Sequence, residues 1–147
     1  MTDDRVLRLE RLIPAPPERV FEAWTRPELL AQWWGPDGFD VPEYSLDVRE
    51  GGRWRTTMRS PQGTLHKVSG VYRAIEPPRR LVFTWAWDNE KGVRYQETEV
   101  TVTFEPVPGG TRLVLLQQMF QDKDGRDKHQ AGWSSSFDCL ERLFSQK

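Results

Sequence analysis

The chain has a single cysteine, Cys139, in 147 residues. An internal disulfide is therefore excluded, and a reducing compartment is the expected setting. There are only two histidines, His66 and His129, widely spaced and with no CxxC nearby. Neither a metal nor a cofactor is expected from so thin a ligand set. Charge of one sign is also lacking, since 21 Lys and Arg face 22 Asp and Glu, a net charge of −1. That balance argues against nucleic-acid binding, which needs a concentrated basic patch, and against a polybasic membrane anchor. No apolar run approaches the ~20 residues of a membrane helix, so no membrane insertion is expected. The opening MTDDRVLRLE carries acids where a secretory signal has bases. The composition reads as one cytoplasmic domain spanning residues 1–147.

Tryptophan is what the chain has in plenty, with seven at 24, 33, 34, 54, 85, 87 and 133. Large rings serve a plain core and a concave apolar site equally well, so their placement decides. Residues 5–13 read as a strand ending before Pro14. Pro16 and Pro17 suit a helix start, with Val20, Phe21 and Trp24 on one face. PELLAQWW reads as a second short helix that includes Trp33 and Trp34 and is closed by Gly35. From about residue 39 to 120 the period is 2. Strands are expected at 39–49, 53–59, 64–76, 80–88, 93–105 and 111–120, with turns at Gly51-Gly52, SPQG, NEKG and Gly109-Gly110. Then Trp133, Phe137, Leu140 and Phe144 form one helical stripe, in a helix expected to begin near 124–128. The fold class is α+β, in the order β-α-α-β6-α: a curved antiparallel sheet of six to seven strands around a long C-terminal helix.

Chemistry-bearing patterns are few. DKDG at 122–125 lacks the later acids of a calcium loop and reads as a helix N-cap. Cys139 lies beside the apolar stripe with no histidine near it, and Ser134, Ser135 and Ser136 lack a G-x-S-x-G elbow. No catalytic residue is assigned. Glu97 and Glu99 share the outward parity of Thr101 and Thr103; Arg94, Gln96 and Thr98 have the inward one. His66 is in phase with Tyr72 and could titrate at a cavity rim. The expected site is therefore an aromatic cavity with a few hydrogen-bonding groups. Trp33, Trp54, Trp85, Trp87, Trp133 and Phe137 would form its walls, and Thr56, His66, Gln96, Thr98 and Gln117 its polar positions. Gln117 is expected to tune ligand affinity, with little effect on stability when replaced by Leu.

APPERVFEAWTRPELLAQWWGP resembles the opening of the START-like (SRPBCC) helix-grip superfamily, in the Aha-type branch related to the C-terminal domain of the heat-shock-protein-ninety ATPase activator. GGRWRTTMRSPQG (51–63), GVYRAIEPPRRLVFTW (70–85), GGTRLVLLQQMF (109–120) and GWSSSFDCLERL (132–143) match the same pattern in order. The resemblance implies a Bet v-like fold with a cavity between sheet and C-terminal helix. Related branches include lipid carriers, polyketide cyclases, hormone receptors and pollen allergens. The eukaryotic activator docks through an additional N-terminal domain. This chain starts at the first strand, so strong stimulation of the chaperone ATPase is not expected and a chaperone partner is doubtful. The leading reading is a carrier or sensor for a small apolar or aromatic ligand, such as a lipid or polyketide-like molecule, without catalysis. A cofactor-free cyclase, hydrolase or isomerase is the second reading, and a chaperone-cofactor or other protein-interaction role the third. A homodimer is left open.

Overall fold

A computed structural model describes residues 5–88, 94–120 and 123–145, with side chains omitted at 94–96. The expected turn at 89–92 and the side chain of Gln96 thus lie outside the described residues. Strand β1 (Leu7–Ile13) leads into helices α1 (Pro17–Thr25) and α2 (Pro27–Leu30). Six strands follow: β2 (Asp40–Leu46), β3 (Arg53–Arg59), β4 (Leu65–Glu76), β5 (Arg80–Asp88), β6 (Arg94–Val107) and β7 (Gly110–Gln118). Helix α3 (Lys123–Ser145) closes the chain. All seven strands form one antiparallel sheet in the order β1-β7-β6-β5-β4-β3-β2, with the first strand returning beside the last. This is the helix-grip arrangement.

The period-2 segments became strands because each offers one apolar face. Trp54, Thr56 and Met58 are buried while Arg53, Arg55 and Arg59 are exposed. Val20, Phe21 and Trp24 of α1 and Trp133, Phe137 and Leu140 of α3 meet that face in one core. Trp24 is its hub, with ring centroids 4.7 Å from Trp33, 5.9 Å from Trp133 and 6.2 Å from Phe104 and Phe137. Phe144 is half-buried, with the Arg19 guanidinium 5.5 Å over its ring. Helix α3 is tied down on the β1 edge, where Arg11 bonds Asp138 at 2.8 Å and Glu141 at 3.3 Å. Toward the other side, the Ser135 hydroxyl accepts the Asp37 N–H at 2.8 Å and Arg142 reaches the Asp37 carboxylate at 3.0 Å.

Two expectations are corrected. The second helix stops at Leu30, and Trp33 and Trp34 sit in the turn beyond it. Each indole leaves the helical track for a tertiary partner: Trp33 Nε1–H donates to the Ala23 carbonyl at 2.9 Å and Trp34 Nε1–H to Thr56 Oγ1 at 3.0 Å. Gly35 closes the turn with φ +91°, a conformation that favours glycine. The second correction concerns β6. Thr98 pairs with Trp85 but Tyr95 pairs with Trp87, so β6 spends one extra residue between these pairs. Strict alternation from Thr98 back to Gln96 and Arg94 is broken there, and Tyr95 takes the register position opposite Trp87.

Gly70 marks a tight crossing in the sheet. Trp54 Nε1–H donates across β4 to the Thr84 carbonyl on β5, at 3.2 Å. A Cβ on Gly70 would stand 1.8 Å from that carbonyl oxygen and 2.6 Å from the Trp54 nitrogen. The clash is with backbone, which cannot swing aside. Gly70→Ala is expected to destabilise the fold by about 3 kcal/mol or more; an unchanged urea midpoint would show that the strands can part there.

Candidate functional site

A cavity of about 560 Å³ lies between the sheet and α3. The strands supply Met58, His66, Trp85 and Trp87. The turn after α2 supplies Trp34, Gly35, Pro36 and Phe39. The helix supplies Gly125, His129, Gly132, Trp133 and Ser136, with exposed Asp124 and Lys128 at the rim. Those helical positions recur at i, i+4, i+7, i+8 and i+11, so they share one face. Three of them are Gly or Ser, and their small size leaves the space that larger residues would fill.

Of the residues the sequence assigned to this site, His66, Trp85, Trp87 and Trp133 line the cavity. Trp33, Trp54, Thr56, Thr98, Gln117 and Phe137 do not: all are buried in the core. Trp54 instead borders a separate void of about 10 Å³, room for one water at most. The neighbour of Trp33, Trp34, faces the cavity in its place. Adjacent tryptophans could not be told apart by spacing once the helix ended early.

The buried polar positions form a closed chain. Trp133 Nε1–H donates to Gln117 Oε1 at 2.8 Å. Gln117 Nε2–H donates to Thr98 Oγ1 at 2.7 Å, and the Thr98 hydroxyl donates to the Trp85 carbonyl at 3.2 Å. Thr56 accepts from Trp34. Gln117, expected to tune a ligand, thus has its carbonyl and its amide nitrogen engaged within the core, away from the cavity wall.

His129 is, with Trp34, among the cavity-lining residues that sequence reasoning passed over. Its Nδ1 is 2.7 Å from the Gly125 carbonyl, and Trp87 Nε1–H donates to its Nε2 at 3.0 Å. The carbonyl requires Nδ1 to carry the proton and the indole requires Nε2 to be bare, which fixes the neutral tautomer. Burial pushes its pKa below the usual histidine range, while the Gly125 carbonyl pulls the other way. The signal in the sequence was its position four residues before Trp133 on the cavity face. His66 stands at the wall, half-buried, with Phe39 and Trp87 at centroid distances of 5.8 and 6.4 Å. Among the described residues no group of three or more His, Cys, Asp or Glu could hold a metal.

A family model described as "Activator of Hsp90 ATPase homolog 1-like protein" matches residues 14–145, and the chain belongs to that family. The crystal structure of the AHSA1 protein from Silicibacter pomeroyi is similar, at 34% identity and a TM-score of 0.89, over 95% of this chain and 97% of that one. A protein from Chromobacterium violaceum shares 28% identity with a TM-score of 0.88, covering 99% of this chain and 100% of the other. The AHSA1-like protein from Aeromonas hydrophila shares 26% identity with a TM-score of 0.77, covering 93% and 90%. No curated protein matches the chain. Among the described residues no helix is long and apolar enough to cross a membrane.

Two predictions follow from the hydrogen bonds. Gln117→Leu orphans the Trp133 N–H inside the core and is expected to cost about 2–3 kcal/mol in chemical denaturation; a loss under 0.5 kcal/mol would remove the chain's structural role. For His129, the unfolded state takes up a proton near the ordinary value of 6.5 while the folded state resists it. Stability is therefore complete above that pH and falls as pH drops from there through the lower folded value. Denaturation midpoints between pH 8 and 5 should fall more in the wild type than in His129→Gln. Parallel curves would mean that His129 does not titrate differently on folding.

Proposed function

We propose that the protein is a cytoplasmic binding domain, a carrier or sensor, for a small apolar or aromatic molecule held between the sheet and α3. The observation that carries this reading is the cavity of about 560 Å³, within the ~300–1,000 Å³ usual for small-molecule sites. It adjoins a core where the void bordered by Trp24, Trp54 and Phe83 is only about 10 Å³. A sequence able to close one side of its core so tightly leaves the other side open by using Gly125, Gly132 and Ser136 on the facing helix.

The wall chemistry favours binding over catalysis. Both ring nitrogens of His129 are engaged, and Asp124, the wall's carboxylate, is at the exposed rim. His66 alone faces the cavity with a ring not engaged in a described hydrogen bond, which keeps acid–base chemistry as the second reading. The exposed large apolar side chains are spread over several elements: Leu12 on the β1 edge, Tyr44 on the β2 edge with Val48 just beyond it, Leu65 at the start of β4 and Met119 after β7. That spread gives little support to a protein-docking role.

Gly132 offers the test. A Cβ there meets nothing within 4 Å. Gly132→Ala should stabilise the helix by about 0.5–1 kcal/mol and still bind N-phenyl-1-naphthylamine. Gly132→Phe should fold equally well but fill the cavity, weakening the same probe at least tenfold. Undiminished binding by a folded Gly132→Phe would place the probe elsewhere, and no saturable binding by the wild type would count against a ligand site.

A further inference from the structure

The two halves of α3 are held in different ways. Its buried side chains are Trp133, Ser136, Phe137 and Leu140, all in the second half. None of residues 123–132 is buried. The bonds that fasten the helix to Gln117 on β7, to Arg11 on β1 and to Asp37 in the turn after α2 start at Trp133 or beyond. The first half carries Gly125 and Gly132 inside the helix, where glycine is less favourable than alanine. Few buried contacts and weak helix propensity place such a segment at the low end of local stability. Yet this half supplies Gly125, His129 and Gly132 to the cavity wall.

His129 joins this half to the sheet. Trp87 Nε1–H on β5 donates to His129 Nε2 at 3.0 Å, and His129 Nδ1–H donates to the Gly125 carbonyl at 2.7 Å. The bond to Trp87 exists only while Nε2 is bare. A second ring proton sets N–H against N–H, and an indole nitrogen can only donate. Flipping the imidazole restores nothing, because a protonated ring has no acceptor on either side. The rings packed on His129 are uncharged: Trp85 and Trp87 of β5, and Phe120 after β7. Among the described residues lining the cavity, β3 and the turn after α2 bring no titratable group. Asp124 and Lys128 of α3 lie at the exposed rim with opposite charges, and Arg126 pairs with Asp127 at 2.9 Å. His66 on β4 is half-buried, its ring 6.4 Å from that of Trp87. Asp88 follows Trp87 and by alternation belongs to the other face of the sheet, paired in register with Lys67.

Resting on the ligand-binding reading above, we propose that residues 123–132 form a proton-operated lid over the cavity, latched by neutral His129 on Trp87, released when His129 is protonated, and pivoting at Gly132 beside the anchored Trp133. Burial holds the latched His129 below its ordinary pKa of 6.5, the value an open lid returns to it in water. The lid therefore stays closed above that pH and opens as pH falls through the lower latched value. Acid discharges a ligand that neutral pH retains.

Hydrogen exchange of the ligand-free wild type, read by mass spectrometry at pH 8 and pH 5 and corrected for intrinsic exchange, tests the lid. Peptides within 123–132 should lose protection about tenfold relative to 133–145 at the lower pH, the ratio for one hydrogen bond. His129→Gln, neutral at both pH values, should show no such change, while His66→Gln should keep it. Should His129→Gln not fold, titration of the wild type by ¹H–¹⁵N spectra decides: the Trp87 indole N–H should move upfield with the same midpoint as the His129 ring. Protection in 123–132 that ignores pH, an unmoved Trp87 signal, or a response lost in His66→Gln would overturn the lid. In stopped flow, N-phenyl-1-naphthylamine should leave the wild type about tenfold faster at pH 5, matching the same lost bond. An unchanged rate from a lid that opens would overturn its control of the cavity. A wild type that never binds the probe would sink the binding reading alone, since the exchange experiment needs no ligand and still decides the lid.

Discussion

The hydrogen-bond chain from Trp133 through Gln117 and Thr98 to the Trp85 carbonyl sets the depth at which α3 rests on the sheet. It crosses from the helix to β7, then β6, then β5, so it joins in space what is distant in sequence. Each link is buried, so breaking one strands a partner in the core rather than returning it to water. The helix cannot sink further without crushing this chain, nor lift without opening it. The cavity exists because that fixed spacing is wider than the Gly and Ser side chains on the next turns of α3 can fill. Fold stability and cavity size are thus two readings of one constraint, and a residue such as Trp133 serves both, holding the chain with its nitrogen and the cavity wall with its ring.

The turn after α2 is positioned by the same logic. Trp34 spends its N–H on Thr56 of β3, and Asp37 is held by two side chains of α3. The cavity wall formed by Trp34, Gly35, Pro36 and Phe39 is therefore fastened to both the sheet and the helix. This explains how an irregular segment can line a cavity with defined shape: the Trp34 and Phe39 N–H groups donate to the Leu30 and Pro36 carbonyls, and the Asp37 N–H to the Ser135 hydroxyl.

Most of the architecture was legible in the residues. Strand β5 carries four large apolar groups in strict alternation, and the 133–144 stripe has a clean helical period, so both elements and their inward faces follow from spacing alone. The site was legible in composition but not in address. Alternation tells which side of a strand a residue faces, not how far along the face the core ends and the cavity begins. Trp54 and Trp85 share that face, yet one meets a closed core and the other an open space. Gln117 looked like a ligand group because a lone buried amide demands partners, and its partners sit on β6 and α3, beyond any local pattern. The extra residue in β6 is likewise a product of pairing with β5, invisible in either strand alone.

The crowding of the indoles has an optical consequence. Trp24 lies 4.7 Å from Trp33 and 6.1 Å from Trp34; Trp34 lies 5.8 Å from Trp54 and 5.6 Å from Trp85; Trp85 lies 5.6 Å from Trp87 and 5.1 Å from Trp133. Over such separations an excited indole passes its energy to the next before it emits, so all seven behave as one antenna. Light absorbed deep in the core drains toward whichever ring relaxes fastest. A quencher seated beside a single ring at the cavity wall would darken the entire set, and the emission of the protein belongs to the cluster, not to any tryptophan within it.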